Sequence, residues 1–526
     1  MAPKAKVASL PPKRYKSEWS RPPTWFIDGG GIVIGIGKQW RFRDIGALGL
    51  AVLVWIVASA PAQASNQLQL LSSDPYTNTS SQHKTEVEPD TFASGSTIVS
   101  AFQVGRFFDG GASNIGFATS TNGGKSWTSG FLPSSTVFAT PAGIYGRASD
   151  PSVAFDAKHN IWLISFLGLA PNGASIDVVD VLVSRSTDGG VTWSGPVAVS
   201  ADGLFNDKNW TTCDNSASSP FFGHCYTEFD VVNFGDLEQM STSADGGQTW
   251  AAPLATKDKV HGIGGQPLVQ PDGTVIVPFD GFSFATFLLM AFRSTDGGAS
   301  WSAARVISPV KFRHPAGGIR AGIPLPSAEM DASGRDYVIW SDCRFEPQCS
   351  ASDLLLTTTT NGVVWTHPTL IPADPVGSGV DHFIPGLAVN RSTTDGSAQL
   401  VLAFYYYPQA NCTKSTCELK VGFVASANGG SSWTRTAQIA GPMSMSWLPS
   451  TSQGFMVGDY ISTSFSGGPA FPAFALAGAP SDTVFDEATF TVRGGLAPGG
   501  VATPTTTTSG FGNTNVQPTT GSVTTR

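Results

Sequence analysis

The chain alternates short apolar runs with polar breaks rich in glycine and proline, and this pattern predicts β-strands. Runs such as Ile161–Phe166, Tyr337–Trp340 and Leu400–Phe404 are rich in Val, Ile, Leu and aromatic residues, a composition typical of strands. Outside an N-terminal apolar run, no long stretch has the period of an amphipathic helix. The 59 Gly and 36 Pro suit the many turns of an all-β fold, which is the class we predict.

One turn sequence recurs along the chain, and we call it the turn motif. Its order is Ser/Thr-x-Asp/Asn-Gly-Gly-x-Ser/Thr-Trp. The Asp or Asn side chain accepts from nearby backbone N–H groups, and glycine adopts a positive φ without steric cost. Such turns join adjacent antiparallel strands. The copies, of which the fifth lacks one glycine, are Ser120–Trp127, Ser186–Trp193, Ser243–Trp250, Ser294–Trp301, Thr359–Trp365 and Ser426–Trp433.

The spacing of the motif predicts an array of repeated units. Successive motif tryptophans are 66, 57, 51, 64 and 68 residues apart, a period typical of strand-rich repeats. A second pattern, acidic or Pro-containing, marks where each unit begins. A seventh unit lacks the motif, and we predict that it takes its outer strand from the segment near Gln67–Leu71. The seven starts are Glu88–Asp90, Asp150–Asp156, Asp207–Trp210, Gly265–Pro267, Ile323–Pro326, His382–Pro385 and Gly458–Ile461.

The turn motif resembles the Asp box, or BNR repeat, of sialidases. This resemblance implies a sialidase-like β-propeller of four-stranded antiparallel blades over residues 65–493. Seven starts favour seven blades, and six is the alternative if the first and last units share one blade. Asp boxes also occur in non-catalytic propellers, so the motif predicts the fold without deciding the function.

The two ends of the chain differ from the repeats. Residues 1–43 are basic and are predicted to be a disordered n-region. Residues 44–64 contain the apolar run Ile45–Ala60 and then Ala62-Gln63-Ala64, which together predict a cleaved export signal; a retained membrane anchor is the alternative. Residues 494–526 are rich in Thr, Gly and Pro and are predicted to be a disordered tail. We therefore expect a secreted or cell-surface protein, monomeric, that touches a membrane only if the apolar segment is uncleaved.

The charge balance excludes one class of partner. The chain has 31 Lys+Arg and 39 Asp+Glu, a formal net charge of −8. Residues 1–64 hold nine of the basic and three of the acidic residues, so the remainder has 22 against 36, a net charge of −14. A mature chain this acidic argues against nucleic-acid binding.

The six cysteines predict disulfides. An even number in an exported chain favours disulfides over free thiols, and pairing of near neighbours is the simplest of fifteen connectivities. No CxxC motif indicates zinc. Grouped carboxylates would suit calcium, but no EF-hand-like loop occurs, so we predict no cofactor. The expected pairs are Cys213 with Cys225, Cys343 with Cys349, and Cys412 with Cys417.

Candidate site residues lie at the starts of the units. In a propeller the inner strands line a central channel, so their starts meet at one mouth. Carboxylates grouped there shift each other's pKa and are candidates for acid–base chemistry. The alternative is that they only cap strand starts by accepting from backbone N–H groups. The residues gathered are Glu88, Asp90, Asp150, Asp207, His382, Asp459 and Tyr460, with Arg147 and Asp381 beside them.

The resemblance to sialidases implies roles for these residues. Sialidases use a tyrosine nucleophile with a glutamate base, an aspartate acid and three arginines that hold the substrate carboxylate. Tyr460 would be the nucleophile, Glu88 or Glu228 its partner, and Asp150 or Asp90 the acid. The substrate-binding residues would be Arg147, Arg320 and Arg344, with Arg313 in reserve, and Asp207, His382 and Asp459.

The sequence departs from sialidases at two points. The Phe/Tyr-Arg-Ile-Pro motif is absent; the nearest match, Gly322-Ile323-Pro324, follows Ala321 where an arginine is needed. The acidic start at Glu88 also disfavours an anionic sugar. Three classes of function therefore remain. They are a glycan-directed exo-glycosidase of sialidase type or a diverged relative, a non-catalytic glycan- or protein-binding propeller, and an assembly module on the cell surface.

Overall fold

The computed structural model describes residues 68–170, 176–283, 286–481 and 484–499. The predicted n-region and export signal, and the tail beyond residue 499, lie outside the described residues. Within these ranges, no helix is long and apolar enough to cross a membrane. The described chain is built of β-strands. Its short 3₁₀ helices are Val232–Phe234, Ala316–Gly318, Pro347–Cys349, Asp395–Ser397 and Met445–Trp447.

The strands follow one another in units separated by turns. In chain order they are β1 Leu68–Leu70, β2 Gln82–Ser94, β3 Thr97–Arg106, β4 Ala112–Ser120, β5 Thr128–Phe131, β6 Arg147–Asp156, β7 Ile161–Leu169, β8 Val179–Ser186, β9 Val197–Ser200, β10 Asn206–Cys213, β11 Cys225–Val231, β12 Leu237–Ser243, β13 Leu254–Ala255, β14 Gly262–Ile263, β15 Leu268–Val269, β16 Val275–Ser283, β17 Thr286–Ser294, β18 Arg305–Pro309, β19 Ser327–Met330, β20 Asp336–Asp342, β21 Asp353–Thr359, β22 Thr369–Leu370, β23 Asp381–Val389, β24 Leu400–Tyr407, β25 Glu418–Ser426, β26 Ala437–Ser444, β27 Ser450–Thr451, β28 Gly454–Phe455, β29 Ser462–Phe465, β30 Ala470–Ala477 and β31 Glu487–Val492.

The pairing of these strands gives multiple four-stranded antiparallel sheets, as the sequence predicted. The separate four-stranded sheets are β10–β13, β19–β22 and β23–β26, and β14–β18 form a sheet in which β14 and β15 both pair with β16. The four-stranded units β2–β5 and β6–β9 are linked by one antiparallel pair, Ala112 with Ala148, and β2 is linked to the last unit by one parallel pair, Thr85 with Glu487, so these units form one twelve-stranded sheet. The last unit is β29–β31, and β1 completes it by pairing with β31, Leu68 lying opposite Val492. This is the strand that the sequence assigned to the N-terminal segment.

The first strands of the units contact one another in chain order. They run β2, β6, β10, β15, β19, β23 and β29, and β29 contacts β2 again. The apolar core lies between neighbouring units; one cluster combines Tyr337 and Leu356 with Leu387 and Val424. Each unit thus covers the apolar face of its neighbour, which is how a repeat array buries a core without one large centre.

The turn motif forms a closed hydrogen-bonded loop. In the second unit, Asp188 Oδ1 accepts from the backbone N–H groups of Val191 at 3.1 Å and Thr192 at 2.9 Å. Ser186 Oγ accepts from the N–H of Gly190 at 2.9 Å. The indole N–H of Trp193 donates to the Gly190 carbonyl at 3.1 Å. The bonds of the Asp and Ser side chains recur in the third unit at Asp245 and Ser243, whereas the buried indole N–H of Trp250 has no hydrogen-bond partner among the described residues.

The second glycine of the motif also packs closely on the preceding unit. Gly190 has a φ of +81°, and a Cβ there would lie 2.6 Å from Val99 Cγ2. Its neighbour Gly189 has a φ of +82° but faces open space. The first glycine is therefore required by backbone conformation alone, and the second by conformation and packing together.

We expect the two glycines to differ in their tolerance of alanine. Gly189→Ala should lower the free energy of unfolding by about 1 kcal/mol, because a residue with a Cβ is strained at positive φ. Gly190→Ala should cost about 1–3 kcal/mol more, because the added methyl overpacks against Val99. Urea unfolding of the two variants measures the difference, and equal costs would contradict the packing role of Gly190.

The three predicted disulfides are present. Cys213 is bonded to Cys225, Cys343 to Cys349 and Cys412 to Cys417. The first joins β10 to β11 directly across the strand pair. The local pairing predicted from sequence is confirmed.

Candidate functional site

The first strands of four units carry β-bulges near their starts. The register shifts between Val87 and Asp90 in β2, Ser149 and Ser152 in β6, Asp207 and Trp210 in β10, and Phe383 and Pro385 in β23. Bulges re-aim side chains and commonly lie next to functional sites. A residue with positive φ lies in every one of these bulges: Glu88 at 54°, Asp150 at 48°, Lys208 at 45° and Ile384 at 52°.

Three of these bulges contribute to a group of acidic side chains that we call the carboxylate cluster. Its members are Glu88, Asp150, Asp207 and Asp459, which interact electrostatically with one another. Ser149 Oγ donates to Asp150 Oδ1 at 2.6 Å. The backbone N–H of Asp459 donates to Glu88 Oε1 at 3.3 Å. The structure thus brings together four residues that the sequence placed at the starts of four different units, namely the first, second, third and last.

Two arginines partly neutralise the carboxylate cluster. Arg320 forms an ion pair with Asp459, and their side chains are 19% and 24% exposed. Arg106 is buried, and its Nη1 donates to Gln103 Oε1 at 3.0 Å and to the Gly111 carbonyl at 3.2 Å. Gln103 in turn donates from Nε2 to Glu88. The cluster therefore has a buried side at Glu88 and Arg106 and a partly exposed, ion-paired edge at Asp459 and Arg320.

Burial raises the pKa of two cluster members toward or above neutrality. The pKa of Glu88 rises to about 8 because of burial and the nearby charges of Asp150 and Asp459, against Arg106 and Arg320. The pKa of Asp207 rises to about 7, also through burial first and then through Asp150. Asp207 remains partly exposed. A carboxyl group with a pKa near 7 is suited to give or take a proton at neutral pH.

Tyr460 lies against the carboxylate cluster but its hydroxyl is engaged. The hydroxyl donates to the Pro151 carbonyl at 2.9 Å, and the side chain is buried. Burial, followed by the charge of Glu88, raises its pKa well above the ordinary value. The Lys208 ammonium lies 3.9 Å from the centre of the Tyr460 ring and 4.8 Å from that of Trp210. This environment favours the neutral phenol, whereas a nucleophilic tyrosine needs an activating base.

The other predicted substrate-binding residues are engaged elsewhere. Arg147 pairs with Asp109 at 2.6 Å, and Arg344 pairs with Asp342 at 2.6 Å. The three predicted arginines thus hold three different carboxylates. The alternative Arg313 pairs with Asp381 at 2.6 Å.

His382 and two of the alternative acids also have other surroundings. The buried His382 ring lies 3.1 Å from the Ser352 carbonyl through Nδ1 and 3.1 Å from Asp374 through Nε2. Asp90 accepts from the backbone N–H of Val153 at 2.6 Å. Glu228 lies among buried acids of the third unit, where its carboxyl interacts with Glu238.

Sequence reasoning missed Arg106, Lys208, Gln103 and Trp210. Lys208 and Trp210 lie inside the third unit start, so their position in the repeat could have marked them. Arg106 and Gln103 belong to β3, a second strand of a unit, and no repeated pattern identifies them. They reach the carboxylate cluster only because β3 pairs with the bulged strand β2.

A narrow cavity continues from this region between the first strands. It is lined by residues of every unit, among them Asp90, Val153, Trp210, Gln266, Ser327, Leu387 and Ser462. Among the described residues, no group of three or more His, Cys, Asp or Glu side chains is arranged to hold a metal ion. The absence of a cofactor stays a prediction.

Comparison with known proteins by sequence does not assign the chain to a family. No family model matches the chain, and no curated protein matches it. The leech intramolecular trans-sialidase is a similar solved structure, with 13% identity, a TM-score of 0.43 and coverage of 65% of this chain and 68% of that one. A protein of unknown function from Dyadobacter fermentans has 16% identity, a TM-score of 0.43 and coverage of 70% and 100%. The NanB sialidase from Streptococcus pneumoniae has 14% identity, a TM-score of 0.41 and coverage of 81% and 70%.

Proposed function

We propose that the repeated units are the seven blades of a closed propeller whose channel mouth holds a glycoside hydrolase site. The return of first-strand contacts from β29 to β2 supports closure. So does the packing of Gly124, in the first unit, on Phe471 in the last. The observation that carries the catalytic part is the carboxylate cluster, with its raised pKa values and its partly exposed edge.

Asp207 and Asp459 are the proposed catalytic pair. Most glycosidases flank the scissile bond with one protonated and one ionised carboxyl group. Asp207, with its pKa near 7, would protonate the leaving oxygen. Asp459, held against Arg320, would supply the negative charge that stabilises an oxocarbenium-like transition state or activates water. The Asp459 side chain is 24% exposed and Asp207 is half-buried, so a sugar at the mouth would reach this pair from the Asp459 side.

The substrate class follows from the charge and from Tyr460. Among the described residues at the mouth, the cluster supplies four carboxyl groups, and each predicted sialidase arginine already pairs with a carboxylate. A neutral sugar fits this environment better than a sialic acid, whose carboxylate would be repelled. The hydroxyl of Tyr460 also favours a neutral sugar, because it donates to the Pro151 carbonyl and this tyrosine lacks the activation that sialidase chemistry requires.

Turnover of a panel of aryl glycosides tests this proposal. The panel should hold neutral hexosides, hexosaminides and a sialoside. We expect release from a neutral glycoside, and a loss of about 10²–10⁴-fold in kcat/KM in Asp207→Asn and in Asp459→Asn. Activity should fall as the pH rises above about 7, because Asp207 must carry a proton. Asp109→Asn is the matched control, because Asp109 pairs with Arg147 on the surface and should leave the rate unchanged.

A non-catalytic glycan-binding propeller is the second candidate. The engagement of Tyr460 by the Pro151 carbonyl favours it, because a hydroxyl fixed in this way positions the strand rather than attacks a substrate. Binding on a glycan array with no turnover of any glycoside would establish this candidate. Turnover that survives both Asp207→Asn and Asp459→Asn would overturn the assignment of the catalytic pair.

Export is part of the same proposal. Disulfides form and persist in oxidising compartments, and the three bonds described above therefore support a location outside the cytosol. The cleaved signal over residues 44–64 remains a prediction.

A further inference from the structure

A second cavity lies at the turn motif of the fourth unit, and none of its lining residues belongs to the carboxylate cluster. It is an open groove of about 840 Å³ between the outer strand β13 of the third unit and strands β17 and β18 of the fourth. This volume is in the range of small-molecule sites, roughly 300–1,000 Å³. Its wall includes the motif tryptophan Trp301, the exposed Leu254 and the hydroxyl side chain of Ser302.

The groove is basic although the chain is acidic. Lys257, Arg293 and Arg305 line it, and none of the described residues in its lining is Asp or Glu. Arg293 Nη1 donates to the Asn361 carbonyl at 2.9 Å, so its charge is not paired with a carboxylate. Lys257 and Arg305 are exposed, and their side chains form no hydrogen bond or ion pair with the described part of the chain. The nearby Asp258 lies outside the lining, and its Oδ2 accepts from the backbone N–H of Ala304 at 3.1 Å.

Strand register holds the two arginines on one face of the sheet. Arg305 pairs with Ala291 of β17, and Arg293 is two residues further along that strand. Residues two apart on a strand share a face, so Arg293 and Arg305 are diagonal neighbours. Like charges placed this way repel each other. An anion bound between them would remove that repulsion.

The basic pair is particular to this unit rather than a consequence of the repeat. Arg293 directly precedes the first residue of its motif, and Arg305 follows the motif tryptophan by four residues. The same two positions hold Thr242 and Leu254 in the third unit, and Ala425 and Ala437 in the sixth. The second unit has Arg185 at the first position, where its Nε donates to the Gly246 carbonyl at 2.6 Å, but it has Val197 at the second. The turn geometry is therefore satisfied without arginine at either position.

We propose that this groove binds an anionic oligosaccharide through its carboxylate or sulfate groups. Three unpaired cations supply the attraction, and the hydroxyl and small side chains of the wall suit the hydroxyl-rich surface of a sugar. The groove is open and larger than a single inorganic anion requires. This site is separate from the proposed catalytic mouth, so binding here and turnover there can succeed or fail independently.

Fluorescence anisotropy with end-labelled oligosaccharides tests the proposal on the full chain. One arm uses an oligogalacturonate, a second uses a sulfated dextran oligomer, and the neutral control is the methyl ester of the same oligogalacturonate. Binding of at least one anionic probe is expected, with the methyl ester at least about tenfold weaker. Affinity should fall as the salt concentration is raised from about 50 mM to about 500 mM, because salt screens exposed charges.

Matched variants locate the binding. The double variant Lys257→Gln/Arg305→Gln should weaken binding of the anionic probe by about tenfold or more. Lys259→Gln removes an exposed positive charge two residues away that does not line the groove, and it should change affinity by less than about twofold. The altered side chains are exposed, and thermal unfolding checks that the variants remain folded; the methyl-ester comparison needs no variant at all.

Four results would overturn the proposal. They are no binding of either anionic oligosaccharide, equal binding of the methyl ester, and equal effects of the double variant and Lys259→Gln. The fourth is binding of a poly-aspartate peptide but of neither oligosaccharide, which would indicate a protein partner instead.

Discussion

Replacing Arg106 by methionine is expected to lower the free energy of unfolding by about 3–5 kcal/mol. Arg106 is 2% exposed, and its guanidinium interacts with the charges of Glu88, Asp459 and Asp150. Methionine preserves much of the volume but removes the positive charge, so the acids lose one of the two arginine charges that compensate them. The cost of an uncompensated buried charge exceeds that of the lost hydrogen bonds alone. Urea unfolding at pH 9, above the raised pKa of Glu88 of about 8, measures the change.

Arg147→Met is the matched control for this prediction. Arg147 also pairs with an aspartate, but its side chain is 22% exposed and that of Asp109 is 52% exposed. Solvent screens such pairs, and the expected cost is below about 1 kcal/mol. Adding Glu88→Gln to Arg106→Met should recover part of the stability, because the neutral amide no longer needs the arginine. Equal costs for Arg106→Met and Arg147→Met would show that Arg106 does not stabilise the carboxylate cluster.

The repeat made much of the fold predictable. The turn motif fixes a hairpin through bonds that span only four residues, such as that from Thr192 N–H to Asp188. Because such bonds join residues that are close in sequence, the motif by itself predicts the turn. The unit starts were also readable, because a bulge followed by proline, as at Asp150-Pro151, recurs in several units. The pairing of β1 with β31 followed from counting: the last unit had one strand too few.

The candidate site was less predictable because its contacts join distant segments. Tyr460 meets the carbonyl of Pro151 across 309 residues, and Arg320 meets Asp459 across 139. The sequence could place Glu88, Asp150 and Asp459 at equivalent unit starts. It could not show which arginine each carboxylate would attract. His382 illustrates the limit: it lies at an equivalent start, yet its ring packs 5.3 Å from that of Phe404, between strands rather than against the carboxylate cluster.

Further buried acidic side chains continue from the carboxylate cluster into the sheet of the third unit. Asp207, Asp230 and Glu238 lie directly opposite one another on β10, β11 and β12. Glu228 lies beside Glu238, and its carboxyl group interacts with that of Glu238 and with the backbone N–H of Gly265. Two carboxylates offer no donor, so this pair can hydrogen-bond only while one group is protonated. Burial raises the pKa of Glu228 to about 8 and, followed by the charge of Glu228, raises that of Glu238 well above its ordinary value.

We therefore expect the protein to be more stable at pH 5 than at pH 8. The folded state keeps a proton on Glu228 up to about pH 8, whereas the unfolded chain releases it near 4.5. Between these values each such group lowers the free energy of unfolding by about 1.4 kcal/mol per pH unit as the pH rises. The stabilisation is fully present below the unfolded pKa and is lost as the pH rises through the folded one. Glu86, whose pKa is also raised to about 8 by burial, adds to the same trend.

Glu228→Gln separates this titration from other effects of pH. The amide cannot ionise, and it can donate to Glu238, so the variant should nearly match the parent at pH 5 and exceed its stability at pH 8 by about 3–4 kcal/mol. Glu418→Gln is the control, because that side chain is 61% exposed beside Lys420 and its removal should leave the pH dependence unchanged. Urea unfolding at the two pH values gives the comparison. If the stability of the parent protein is flat or rises from pH 5 to pH 8, these acids are ionised in the folded state. That result would contradict a buried proton between Glu228 and Glu238.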